Sequence, residues 1–213
     1  MEHFTIQANE YLNRAIQAFY HADYEGGGKW KVAGTIENMI CTLKNDIMPY
    51  PDNVLQVAVN QLQVILRGDL PQIIRRTGLN NLTVCVIPRA KAETHYRTDQ
   101  LLLKSTIRET VQSLNCFSNG IPYIVRHTDT KTTHLSRGIS GGGSGNSPYP
   151  GITKDTCTIS ENVRGKDILL IDDLYTRSVN IDEDAIQALL NKGAKSVVFY
   201  SVGKTVFRNQ IIL

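Results

Sequence analysis

Three short runs rich in β-branched residues constrain this chain more than any other feature: "LTVCVIP" from Leu82, "ILLI" from Ile168 and "SVVFYSV" from Ser196. Each is too short for a buried helix and is bounded by polar or turn residues, the pattern of a strand buried on both faces. A helical stretch with Leu103, Ile107, Val111 and Leu114, followed by the strand-like "YIVR" at 123–126, separates the first two. A helix over roughly 182–192, with Ile186, Leu189 and Leu190 on one face, separates the last two. Strands alternating with helices predict an α/β fold: a parallel sheet flanked by helices, with ligands at the strands' carboxyl ends.

The amino-terminal part reads differently. Apolar residues at Ala8, Tyr11, Leu12, Ala15, Ile16 and Phe19 follow one helical face, and "EGGGKW" ends the pattern. A second helical stretch carries Val32, Ile36, Met39, Ile40, Leu43 and Ile47 and stops at Pro49 and Pro51. A third starts after a cap at Asp52 and runs through Val54, Leu55, Ala58, Val59, Leu62, Ile65 and Leu66. The expectation is an N-terminal helical segment over 1–78 and an α/β domain over 79–213. Inside the latter, the polar stretch 127–155 is expected to be a long flexible loop acting as a lid beside a ligand site.

At 213 residues the chain can bury a sizeable core without staples. Its net charge of +3 is spread along the sequence, which gives no support to nucleic-acid binding. Cys41, Cys85, Cys116 and Cys157 form no CxxC pair and have no clustered His, against a zinc site and in keeping with a reducing compartment. The start "MEHFTIQANEYLNRA" does not resemble a secretory signal, and no apolar run reaches about 18 residues, so a cytoplasmic protein without a membrane span is expected.

The chemistry concentrates in "DILLIDDLYTRSVN", residues 167–180. A buried strand tolerates charge where the chain leaves the core, which predicts Asp172 and Asp173 at the strand's carboxyl end, facing solvent or a ligand. Thr176, Arg177, Ser178, Val179 and Asn180 then stand at the entrance to the next helix. Unpaired backbone N–H groups and the positive dipole end can bind a phosphate there. Phosphate at the loop and carboxylates one step earlier suit a phosphorylated sugar, because carboxylates accept hydrogen bonds from its hydroxyls.

The same residues resemble the phosphoribosyl pyrophosphate signature of type I phosphoribosyltransferases. The likeness is nearest to the ComF-like, competence-associated branch, with "RGKD" before the signature, Tyr175, Glu183 and the "GAKSVVF" strand, and it covers roughly residues 80–205. The resemblance implies that Asp172 and Asp173 bind the ribose hydroxyls and that Thr176, Arg177, Ser178, Val179 and Asn180 wrap the 5′-phosphate. It implies a pyrophosphate loop at Arg89, Ala90 and Lys91 and a flexible hood carrying Lys131, His134 and Arg137. Mg²⁺ would arrive with the substrate, touching the protein, if at all, at Asp172 and Asp173. This chain has Ser178 where the family usually has Gly and Asn180 where it usually has Thr. Thr176 replaces the aspartate that handles a proton on the base in purine-salvage enzymes.

The implied activity is transfer of ribosyl 5-phosphate from phosphoribosyl pyrophosphate to a nitrogenous acceptor, with release of pyrophosphate. Ser178 and Asn180 keep a second expectation open: a non-catalytic module that binds phosphoribosyl pyrophosphate or a nucleotide and acts through a protein partner. A nucleoside-triphosphatase fits poorly, because "SVGKT" at 201–205 lacks the glycine five residues before Gly203 that a phosphate loop requires. The amphipathic N-terminal part suggests a homo-oligomer.

Overall fold

The computed structural model describes residues 1–47, 49–132 and 145–206. Two strands open the chain, β1 (Glu2–Ile6) and β2 (Ile16–Tyr24), followed by helices α1 (Ile36–Lys44) and α2 (Asp52–Thr77). Strand β3 (Leu82–Val86), helix α3 (Leu102–Ser113) and strands β4 (Phe117–Asn119) and β5 (Ile124–Arg126) come next. Helix α4 (Ile152–Thr156), strands β6 (Cys157–Ile159) and β7 (Asp167–Tyr175), helix α5 (Ile181–Asn191) and strand β8 (Ser196–Thr205) complete the described elements.

The main sheet has the order β1-β2-β8-β7-β3-β4, and every neighbouring pair is parallel except β1 with β2. The α/β class and the mostly parallel sheet expected from the three apolar runs are therefore present. Strand β5 falls where "YIVR" predicts it but pairs antiparallel with β6 in a separate ribbon, and the parallel neighbour of β3 is the polar β4.

The expected helix over Ala8–Phe19 is a correction. Ile16 to Tyr24 form a strand that pairs with β8, Ala18 opposite Phe199 and Tyr20 opposite Ser201. Ile16, Ala18 and Phe19 are buried while Gln17 is exposed, so half a strand's alternation coincided with a helical spacing. The expected helical segment over 1–78 thus begins with two strands of the main sheet, and its α-helices among the described residues are α1 and α2.

Strand alternation divides the core. Leu169 and Ile171 of β7 pack with Leu62, Leu66, Leu70 and Ile73 of α2 and Ile107 of α3. Ile168 and Leu170 pack on the other face with Ile186 and Leu189 of α5. Both faces are covered, which is why these runs are apolar throughout.

Local signals fix the ends of the helices that reach the site. Thr35 caps α1 by accepting a hydrogen bond from Asn38 N at 3.1 Å. Asn45 ends it in the left-handed conformation, φ 49°, which leaves Lys44 in its last turn. Helix α2 ends at Gly78, φ 68°, whose N–H donates to Ile74 O. At its buried middle, Asp69 accepts the Tyr200 hydroxyl and faces His21 Nδ1, both at 2.9 Å.

Candidate functional site

From β3 the chain moves outward to β4 on one side, and from β7 it moves to β8 on the other. The order of strands therefore reverses between β3 and β7, the place where an open α/β sheet leaves a crevice at its carboxyl edge. The loop after β3 carries Arg89, Ala90 and Lys91, and the loop after β7 carries Thr176 to Asn180, so both sets flank this crevice.

The aspartates lie within β7 rather than beyond its end, with Leu174 and Tyr175 still in the strand. Successive side chains of a strand point to opposite faces. Asp173, only 6% exposed, faces α1 and forms an ion pair with Lys44 Nζ. Burial pulls the Lys44 ammonium down, but Asp173, then Asp172, outweigh it and leave its pKa raised. Asp172 faces α5, where its carboxyl meets that of Asp182. Of the pair expected at the strand's carboxyl end facing solvent or a ligand, Asp172 is partly exposed, whereas Asp173 is buried against α1.

On the α5 face, burial and then the Asp173 charge push Asp172 up to about 8. Burial, then the Asp172 charge, raises buried Asp182 well above the carboxylate range. Asp182 Oδ1 and Ser201 Oγ, the latter opposite Asp172 in β8, are buried without a hydrogen-bond partner. Glu183 accepts the Tyr175 hydroxyl at 2.8 Å. Asp184 accepts Gly151 N and Thr153 N at 2.5 and 2.7 Å, fastening the start of α4 to α5.

The loop after β7 is held at both ends. Thr176 Oγ1 lies 2.7 Å from Thr205 Oγ1 at the end of β8. Val179 N donates to Thr176 O, and Asn180 turns through φ 60° into α5 while its Oδ1 accepts Asn9 Nδ2 at 2.9 Å. Ser178, Val179 and Asn180 line a cleft of ≈ 290 Å³ together with Tyr11, Lys131, Thr132, Ser147 and Pro148. Lys131 N donates to Asn146 O at 3.1 Å, so the two described ends of the 127–155 stretch meet at this cleft.

The loop after β3 is braced rather than open. Arg89 donates to both oxygens of Asp46 at 2.6 Å, to Lys44 O at 3.1 Å and to Gln100 O at 2.6 Å. Its guanidinium also stacks 4.3 Å from the Tyr96 ring centre. Ala90 O accepts Thr130 N at 2.7 Å, and Asp129 accepts Ala92 N at 2.9 Å, the bond that chiefly lowers the Asp129 pKa. Lys91 N donates to the Tyr96 hydroxyl at 3.1 Å.

The structure therefore brings Ser178, Val179, Asn180 and Lys131 to one cleft, with Thr176 and Arg177 leading into it. Asp172 and Asp173 stand on opposite faces, and the Arg89 side chain is committed to Asp46. His134 and Arg137 lie outside the described residues. Sequence reasoning missed Lys44, whose place in a last turn reads as a plain dipole complement. It also missed Tyr11, hidden in the misread helix, and Asp182, which resembles any first-turn acid.

Among the described residues, no group of three or more His, Cys, Asp or Glu side chains is arranged to hold a metal ion, and no helix is long and apolar enough to cross a membrane. In comparisons with family models and with curated proteins, nothing matches this chain.

Proposed function

We propose that the protein binds phosphoribosyl pyrophosphate at the crevice between β3 and β7 and transfers ribosyl 5-phosphate to a nitrogenous acceptor, releasing pyrophosphate. The observation that carries this reading is the reversal of strand order between β3 and β7, with the signature loop on one side and the "PRAK" loop on the other. The 5′-phosphate would take the backbone N–H groups at the start of α5, with Lys131 facing it across the cleft. Ribose hydroxyls would donate to Asp172, which would accept them as the ionised carboxylate despite its raised pKa.

A divalent cation brought by the pyrophosphate would find protein oxygens in Asp172 and Asp182, whose buried Oδ1 has no hydrogen-bond partner. Such a cation stabilises charge on the leaving pyrophosphate. Ala90, Lys91 and the loop backbone supply the protein's own share of that stabilisation, while Lys131 stands across the cleft from the phosphate loop.

A second reading rests on Arg89 and Asp173, each already paired in the protein. With these side chains engaged, the crevice suits a regulatory module that binds phosphoribosyl pyrophosphate or a nucleotide without turnover. Calorimetric titration with phosphoribosyl pyrophosphate and Mg²⁺, against ATP and ribose 5-phosphate, followed by a pyrophosphate-release assay with pooled nucleobases, separates the two. Selective binding with release supports the transferase. Selective binding without release supports the module, and no binding removes both.

A further inference from the structure

The carboxyl end of α1 occupies an unexpected position. Three consecutive residues there touch both sides of the crevice. Lys44 pairs with Asp173 of β7, Asn45 Nδ2 donates to Asp99 Oδ2 at 2.8 Å, and Asp46 takes the bidentate bond from Arg89 after β3. Lys44 O accepts the same Arg89 guanidinium at 3.1 Å. Arg97 and Gln100 donate to Asn45 O at 3.3 and 3.2 Å, which fixes this turn against the chain that follows the "PRAK" loop.

Lys44 is thereby a cation standing between the acidic strand and the loop after β3. Its side chain is 25% exposed, so it keeps an open side while Asp173 is almost wholly covered. Lysine carries three donors on a rotatable stem, and one carboxylate oxygen does not exhaust them. Arg89 is locked by four hydrogen bonds and a ring and has little freedom to meet a ligand. Besides Lys91 of the loop, Lys44 is a neighbouring cation whose side chain keeps an open side.

We propose that Lys44 is a substrate-binding residue of this crevice, the cation that selects the pyrophosphate arm of the ligand. This rests on the reading that the crevice binds phosphoribosyl pyrophosphate. In the empty protein Lys44 neutralises Asp173; with the ligand present it donates to a phosphate oxygen of the pyrophosphate while keeping contact with Asp173. The lysine then rewards a ligand that brings pyrophosphate and is indifferent to one that carries the 5′-phosphate alone.

The test compares K44Q and K44R with the full-length wild-type chain, titrating phosphoribosyl pyrophosphate, inorganic pyrophosphate and ribose 5-phosphate calorimetrically in Mg²⁺. K44Q is expected to weaken phosphoribosyl pyrophosphate and pyrophosphate by about tenfold or more, the loss of one charge-assisted hydrogen bond, with ribose 5-phosphate changed by less than about twofold. K44R is expected to retain most of the preference. Equal weakening of all three ligands, or of none, overturns the assignment while the binding reading stands.

Removing Lys44 leaves Asp173 buried without its cation, so a wild-type measurement accompanies the variants. Amine acetylation followed by mass spectrometry is expected to show Lys44 protected by pyrophosphate and not by ribose 5-phosphate. Equal reactivity with and without pyrophosphate, in a protein that binds it, also overturns the assignment. Failure of the wild type to bind any of the three ligands removes the reading itself.

Discussion

Replacing Asp172 with Asn should stabilise the protein while abolishing its proposed ligand binding. In the folded chain Asp172 holds its proton up to about 8, because burial and then the neighbouring Asp173 charge oppose its ionisation, while the hydrogen bond with Asp182 works the other way. In the unfolded chain an aspartate releases its proton near ~3.9. Between these values the native state binds the extra proton, so stability falls as pH rises from about 4 towards 8. At pH ~7.5 the full span amounts to about 5 kcal/mol, at ~1.36 kcal/mol for each unit. Asp182 interacts with Asp172 and solvent reaches one side of Asp172, so the gain expected in D172N is well below that span, about 3 kcal/mol. That corresponds to roughly 6–12 °C in Tm for a chain of this size. Thermal unfolding followed by circular dichroism should show the gap open between pH 4.5, where the two proteins unfold nearly together, and pH 7.5. A variant less stable than wild type at pH 7.5, or a gap independent of pH, would refute the protonation account. Isothermal titration of the same variant should show no binding of phosphoribosyl pyrophosphate, and retained affinity would remove Asp172 from the site.

Two other perturbations address the braces around the crevice. Arg89→Ala removes the bidentate bond to Asp46, two bonds to carbonyls and the contact with Tyr96, and should cost about 2–4 kcal/mol in urea unfolding; Arg89→Lys should recover less than half, since one ammonium cannot reproduce the fork, and a neutral result for Arg89→Ala would show the network to be dispensable. Asp184→Ala frees Gly151 N and Thr153 N and should expose the chain around α4 to limited proteolysis well before global unfolding, at a cost of about 2 kcal/mol; an unchanged cleavage pattern would mean that α4 is held by its other contacts.

Much of the sheet was legible because β3, β7 and β8 are covered on both faces, which demands unbroken apolar runs that helices rarely show at that length. Strand β2 was not legible, since the exposed Gln17 and half-exposed Tyr20 interrupt its apolar run and its pairing with β1 and β8 decides its conformation. The polar β4, with Ser118 and Asn119, carries no strand signal of its own and forms because β3 offers an open edge. At the site, the phosphate-type loop could be placed from its strand, turn and helix. The partners of Asp172 and Asp173 could not, because the direction in which each side chain points depends on where the strand ends. Two further residues of strand are enough to send one aspartate towards α1 and the other towards α5.

The parallel pairing of β2 with β8 has a consequence for how the molecule is made. Ala18 lies opposite Phe199, so the second strand synthesised finds its central neighbour only after nearly the whole described chain has followed. Closing so long a loop costs entropy before any contact repays it, and parallel pairing of this kind is slow. Until β8 emerges, the β1–β2 hairpin holds Ile16, Ala18 and Phe19 without the sheet that will cover them. The growing chain therefore carries a sticky edge for most of its synthesis, and the assembly of the crevice and the closing of the sheet become one late event.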